Sequence, residues 1–406
     1  MQHSPITNAV VAAATLCIFL NTPSARAEDA AKPFQFGAVL PKTGAYSQYG
    51  DFTEQGLRAG VNEINDKGGI LGRKVELVVR DDASNPGRSL LAAKELFTEH
   101  NVDFLYPEII SGLALATLPY TSENKIFTVS NGASPLIGEA KKFPYSFQLA
   151  DLATKRLPSM AAAMKKLGGT KVGILVSTNP PQVALGDALN AELATKYGMQ
   201  IAGYKQFTVD TKDLSPQLQS LRDAGADIIA FDSAARDNIR VVMAAMQTLG
   251  WKAKLVTEPA ALYGDLREQV PEAVAGQFYA VNYRIGTRYG TPSSDLKAFI
   301  DDMKQIGPIQ NLAISAVARD SVFLVKWAFE TAQHENGNTT SDSIKTVLES
   351  IGKRQLPPGY SLALGNPGYN AGDHTTANAD YSQFWGLIHV SPLIDGTYEG
   401  EPLTVD

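Results

Sequence analysis

Cysteine is almost missing from this chain: its 406 residues hold one, Cys17, close to the N-terminus. A disulfide framework is therefore excluded, and packing must hold the fold together. Long apolar runs are equally scarce. The longest, Ala9–Leu20, falls short of the roughly 20 residues a membrane-crossing helix needs. Histidine is sparse, with 5 in the chain, and none of those after the first segment have the spacing of metal ligands. No H-E-x-x-H, Walker A loop or G-x-S-x-G elbow occurs. Charge of one sign is in only mild excess, a net −6 from 36 basic and 42 acidic residues. That balance argues against nucleic acid or an anionic membrane surface as the main partner.

The apolar run is broken at Asn21 and Pro23 and followed by Ala25-Arg26-Ala27, a small-x-small site suited to signal peptidase. Residues 1–27 are thus expected to be a cleaved signal peptide, although no Lys or Arg precedes the run. A buried N-terminal helix is the alternative. A lipoprotein would carry its cysteine at the cleavage site, whereas Cys17 sits mid-run behind Leu16. The expected mature protein is soluble, periplasmic and 379 residues long, ample for two domains.

From Pro33 onward, short β-branched or aromatic runs alternate with amphipathic stretches. Strands are expected at Phe34–Leu40, Val75–Val79, Phe104–Tyr106 and Ile126–Val129, with helices at Thr53–Lys67, Pro86–Glu99 and from Ser111. A second series opens near Asp151. Its helices are expected at Leu157–Leu167, Ala184–Tyr197, Ser215–Ala224 and Asn238–Leu249, and its strands at Val172–Val176, Ile201–Phe207, Asp227–Phe231 and Lys254–Val256. After strand Phe278–Val281 come helices Ser294–Gln305 and Ala313–Ala332, then a Gly- and Pro-rich tail with a strand-like Phe384–Val390. Alternation of this kind calls for parallel sheets covered on both faces, an α/β fold in two similar lobes.

Open parallel sheets bind ligands beyond the carboxyl ends of their strands, so the strand-to-helix turns are the candidate sites. Ile109-Ile110-Ser111-Gly112 opens a helix directly after a strand. Its unpaired N–H groups and the helix dipole suit a carboxylate, although Ser111 could equally serve as a helix cap. Ser130–Pro135 is a second small-residue turn, readable as a ligand contact or as an ordinary turn. Tyr46 and Tyr49, in a Gly-flanked loop, could form a pocket wall or pack on their own lobe. Glu258 and Arg236 each follow a strand of the second series. Each could meet a ligand charge or stand in solvent.

Signals for catalysis are weak. Ser122-x-x-Lys125 and Lys42-Thr43-Gly44 match parts of a penicillin-recognising serine enzyme, but their order is inverted and no S-D-N accompanies them. The glycines of Gly68–Gly72 lack dinucleotide-binding spacing and follow a helix. No cofactor or metal is expected.

The loop Leu40-Pro41-Lys42-Thr43-Gly44-Ala45-Tyr46-Ser47-Gln48-Tyr49-Gly50, the stretch Asn62–Arg73 and the run Arg80-Asp81-Asp82 together resemble the periplasmic leucine/isoleucine/valine-binding protein family, type I solute-binding proteins of ABC importers. The resemblance implies two Rossmann-like lobes joined by a three-crossing hinge. Lobe one would hold 33–149 plus 283–358, and lobe two 150–282 plus 359–395. It also implies a ligand carboxylate held at Ser111, Gly112, Gly132, Ala133 and Ser134, an aromatic wall at Tyr49, and Glu258 as partner of an α-ammonium group. Three positions depart from the pattern. Ala184-Leu185-Gly186 stands where the family often has Tyr-Gly, Ala234 where it has an aromatic residue, and Glu108 where it usually has a small one.

The expected function is capture of an amino acid or related small solute for an ABC permease by a monomeric, non-enzymatic protein. An aromatic carboxylate or amide is the alternative, with Arg236 in place of an ammonium partner. A sensor role and a hydrolase on a similar scaffold are the remaining readings.

Overall fold

The computed structural model describes residues 1–2, 32–259, 262–289, 293–357, 359–363 and 365–405. The chain divides into Met1–Lys32 and Pro33–Asp406. Residues 3–27 of the expected signal peptide lie outside the described residues, as does Glu28.

The first sheet holds β1 (Phe34–Leu40), β2 (Val75–Asp81), β3 (Phe104–Tyr106), β4 (Thr128–Ser130) and β5 (Ser146–Gln148), all parallel, in the order β2-β1-β3-β4-β5. Parallel neighbours need long crossovers, and helices α1 (Ser47–Asp66), α2 (Pro86–Thr98) and α3 (Ser111–Glu123) supply three of them. Successive strand residues face opposite ways. Phe34, Phe36 and Ala38 accordingly join one core with Leu57 and Ile64 of α1, while Val39 joins another with Ala93 and Leu96 of α2. Each fully buried Phe or Leu contributes roughly 1.5–3 kcal/mol.

Helix α1 starts six residues before the expected Thr53, and the loop ahead of it explains why. Asp81 accepts from the Thr43 hydroxyl and N–H at 2.7 and 3.1 Å, and Ser84 Oγ accepts from the Tyr46 N–H at 3.1 Å. The Arg80-Asp81-Asp82 run thus anchors the loop that presents Tyr46 and Tyr49.

The second sheet contains β6 (Lys171–Ser177), β7 (Gln200–Phe207), β8 (Ile228–Asp232), β9 (Lys254–Thr257), β10 (Phe278–Tyr283), β11 (Thr287–Arg288), β12 (Trp385–His389) and β13 (Tyr398–Pro402). Its order is β11-β13-β12-β10-β9-β8-β6-β7, parallel from β7 to β10, with β12 antiparallel to both β10 and β13. Helices α4 (Leu157–Lys166), α5 (Pro180–Tyr197), α6 (Ser215–Asp223) and α7 (Asp237–Thr248) belong to this half. Pro180-Pro181 at its first two positions lets α5 begin one turn before the expected Ala184.

Three helices follow: α8 (Ser294–Ile306), α9 (Leu312–Asn336) and α10 (Ser341–Glu349). Helix α9 spans both cores. Ala313, Ala316 and Val317 pack into the second, and Val322, Val325 and Phe329 into the first. It approaches α1 so closely that a Cβ on Gly56 would stand 2.1 Å from the Ser315 carbonyl oxygen. The fold is type I: two Rossmann-like lobes linked by three passages, between β5 and α4, between β11 and α9, and ahead of β12. No helix among the described residues is long and apolar enough to cross a membrane.

The tail departs from expectation, because 359–395 does not go to the second lobe as a block. Tyr360 and Tyr369 lie in the first lobe's core, and His374 stacks on Phe147 with centroids 4.0 Å apart. The His374 carbonyl accepts from the Gln148 N–H at 2.9 Å. The tail thereby covers the otherwise open edge of β5 and joins the second sheet only at Trp385. Helix α10 lies in the stretch read from sequence as tail, although Thr340 caps it by accepting from the Ser343 N–H.

Candidate functional site

A cavity of about 710 Å³, part of it open to solvent, lies where the carboxyl ends of the parallel strands of both sheets meet.

The first-lobe wall is built from the turns after β3 and β4 and the start of α3. Ile109, Ile110, Ser111, Gly112, Asn131 and Ala133 line it, with Tyr49 from α1 beside them. Helix α3 opens without a side-chain cap, and the N–H groups of Ser111, Gly112 and Ala133 take no partner among the described residues. The Ser111 hydroxyl accepts from the Ser134 N–H at 3.2 Å, which ties the two turns together. The Asn131 side-chain oxygen accepts from the Ser321 hydroxyl at 2.8 Å, and its buried amide nitrogen has no partner among the described residues. These groups make a neutral set of donors at a helix N-terminus, suited to a carboxylate.

Gly132 and Ser134 stand behind this wall. A Cβ on Gly132 would meet Ile137 at 2.5 Å and the Ser111 hydroxyl at 2.9 Å, so the residue lets the turns close. The Ser134 hydroxyl accepts from the Leu136 N–H.

Glu108, just ahead of this wall, is fully buried, and its φ is +134°. A non-glycine residue held there costs about 1–3 kcal/mol. Its carboxylate accepts from the Ile110 N–H, and its Oε1 has no partner among the described residues. Burial and then the charge of Asp82 push its carboxyl well above the ordinary range.

The second-lobe wall differs in kind. Arg156, Asn179, Pro181, Gln182, Pro259 and Tyr283 line it, along with Ala234. Arg156 is buried, and its guanidinium donates to both oxygens of Asp151 at 2.7 and 2.9 Å, to Glu258, and to the Tyr283 hydroxyl at 3.3 Å. The Tyr283 hydroxyl in turn donates to Asp151. Glu258 therefore lies behind the lining, fully buried and paired with Arg156, rather than on the cavity as an ammonium partner. Asp232 is buried next to it. Burial first, then the charge of Glu258, push the Asp232 carboxyl well above the usual range, which favours its acid form.

Arg236 is directed elsewhere. It donates to the Asp265 carbonyl at 3.3 Å and to Glu268 at 3.2 Å, and its guanidinium stands 5.6 Å from the centroid of the Tyr263 ring. The arginine of the cavity is thus Arg156, which the sequence reading missed along with Asp151, Asn131, Asn179, Gln182 and Tyr283. Arg156, Asp151, Asn179 and Gln182 come from loops or helix starts with no distinctive local pattern, Tyr283 ends β10, and Asn131 lies in the small-residue turn already noted. The one available signal was an arginine directly before a helix, where the macrodipole disfavours a cation; two buried carboxylates offset that cost.

Contacts across the cleft are present. The Tyr46 hydroxyl accepts from the Asn179 amide at 3.1 Å, and Tyr263 packs on Tyr49 and Phe52 with centroids 5.5 and 5.3 Å away. The Tyr49 hydroxyl is buried and has no partner among the described residues. Burial, then the neighbouring Tyr263, Glu258 and Asp232, keep its phenol protonated. Among the described residues, no three potential metal-ligating side chains gather.

A family model described as periplasmic binding protein matches residues 33–383. A curated relative, Leu/Ile/Val-binding protein homolog 3 of Brucella melitensis biotype 1, is 28 % identical over 196 residues, covering 48 % of this chain and 53 % of that protein. The chain thus spans about half the length of this curated relative. Among solved structures, leucine-binding protein LivK from Thermotoga maritima MSB8 superposes with a TM-score of 0.73 at 21 % identity, over 91 % of this chain and 98 % of that one. An ABC-transporter solute-binding protein from R. palustris in complex with 4-hydroxybenzoate also gives 0.73, at 20 % identity, over 92 % and 96 %.

Proposed function

This chain belongs to the periplasmic binding protein family, and from that premise we propose that it captures a small carboxylate-bearing solute between its lobes for an ABC permease. It acts as a monomer, in the periplasm, after a signal peptide has been removed near residue 27. We assign lobe one to 33–149 and 283–378 and lobe two to 150–282 and the tail from Trp385. The reading is one of capture, in keeping with the family.

One observation carries the choice of ligand. Among the described residues lining the cavity, only Arg156 is charged, and its own carboxylates already occupy it. A ligand carboxylate would find unpaired donors at Ser111, Gly112, Ala133 and Asn131, whereas an α-ammonium group would meet no acidic side chain on the lining. An aromatic or aliphatic carboxylate without an amine fits best. Ile110, Pro181, Pro259 and Val317 would flank its apolar body. An α-amino acid is the second reading, supported by the curated relative's name. It requires Arg156 to release Glu258 when ligand enters.

Isothermal titration of matched pairs, 4-methylpentanoate against L-leucine and 3-(4-hydroxyphenyl)propanoate against L-tyrosine, separates the two. The amine-free member of a pair should bind at least about tenfold tighter, a difference of ~1.4 kcal/mol. Tighter binding of the amino acid would establish the second reading. A thermal-shift screen in which no carboxylate raises the unfolding temperature would defeat both, since ligand at 100 Kd adds about 2.7 kcal/mol of apparent stability.

A further inference from the structure

Building on the carboxylate-capture reading, we propose that Glu108 makes capture proton-dependent, because its own carboxyl already sits at the helix start that would receive the ligand's. Three features single it out. Its backbone occupies a region, φ +134°, that glycine tolerates and glutamate does not, so the side chain must contribute something that outweighs the strain. The carboxyl is fully buried and accepts from the Ile110 N–H, one residue before the free N–H groups of Ser111 and Gly112. Its carbonyl accepts from the Ser130 hydroxyl at 2.7 Å, so the residue braces both turns of the donor wall.

Two titratable groups face it. Asp82, at the end of β2, is buried and accepts from the Ser89 hydroxyl at 2.6 Å and the Ser84 N–H at 2.8 Å. Tyr106, the last residue of β3, has a buried hydroxyl without a partner among the described residues. No cation pairs with Glu108 among the described residues. A helix start stabilises one negative charge, and two carboxylates confined there do not both ionise readily. When the ligand brings its carboxylate, the proton must therefore stay on Glu108, or be taken up if Glu108 has lost it. The elevated titration of Glu108 and its cause, burial followed by Asp82, agree with this. The sign follows: affinity is full while Glu108 is protonated and falls as pH rises through its titration, by up to about tenfold per pH unit.

The test is calorimetric titration of the mature protein with 4-hydroxybenzoate from pH 5.5 to 8, in two buffers of different ionisation enthalpy to count protons. Wild type should lose affinity toward the upper end and take up protons there. Glu108→Gln should hold the wild-type low-pH affinity throughout with no uptake, and Asp82→Asn, which removes a charge that raises the Glu108 titration, should move the wild-type fall to lower pH without abolishing it. Parallel profiles for wild type and Glu108→Gln, or a Gln variant weakened at every pH, would overturn the proposal. If wild type binds this probe at no pH, the capture reading fails for it, and Glu108 is then judged in ligand-free protein. A raised folded-state titration removes stability as pH climbs above the unfolded value of about 4.3, so wild type should lose unfolding temperature relative to Glu108→Gln across the same range. Equal slopes would refute a protonated Glu108.

Discussion

The two walls of the cleft use opposite electrostatic strategies. The first lobe leaves its polar groups open: free N–H groups at Ser111, Gly112 and Ala133 and an unpartnered amide at Asn131. The second lobe closes its charged Arg156 on Asp151 and Glu258, while the side-chain oxygen of Gln182 on the lining keeps no partner among the described residues. Open dipoles attract a ligand at little desolvation cost because they carry no full charge. A buried ion cluster contributes shape and rigidity, since Coulomb attraction there is largely offset by lost hydration. On the proposed reading, the first lobe would supply affinity and the second would select, by withholding a free carboxylate.

The strongest challenge to the contrast is Arg156→Met. It strands Asp151 and Glu258 without their cation and should cost about 3–5 kcal/mol of stability, measured by urea unfolding of ligand-free protein. A loss below about 1 kcal/mol, the scale of an exposed pair, would mean that the cluster is not sealed from water. Two glycines of the first wall separate affinity from folding. A Cβ on Gly112 meets nothing within 4 Å, so Gly112→Ala should fold like wild type yet bind carboxylate at least about tenfold more weakly, ~1.4 kcal/mol, in calorimetry. Gly132→Ala forces a Cβ against Ile137 and should instead lower stability by about 1–3 kcal/mol. Equal effects of both would erase the distinction between lining and support. The smallest effect belongs to Arg236→Ala. Its partner Glu268 is largely exposed, so stability should fall by about 1 kcal/mol or less and affinity should hold within about threefold. A loss of tenfold or more would return Arg236 to the site.

Much of the scaffold was legible. The strand Phe34–Leu40 matches its expected bounds, and Phe104–Tyr106 does too, because alternating burial on two helix-covered faces leaves a continuous apolar run. The tail was not legible. Residues from Tyr360 to Thr376 carry no helical or strand period, and Tyr369, His374 and Thr376 take their place at the edge of β5 through contacts more than two hundred residues apart in sequence, such as Tyr369 with Gln148. The donor wall was partly legible, since a strand followed by Ser111-Gly112 marks a helix start. Which members of the neighbouring turn reach the cavity depended on packing: Ala133 does, while Gly132 and Ser134 hold it from behind.

Periodicity and glycine placement sufficed to determine an α/β chain of two sheet-built lobes and to point to the strand ends as the candidate site. These are local properties, written in spacings of two to four residues. The polarity of the second wall was settled only in three dimensions. Glu258 and Arg156 stand 102 positions apart, and both were unremarkable as isolated letters. Folding brought them together out of water, where a charge must find a partner, and that pairing sets Glu258 behind the lining.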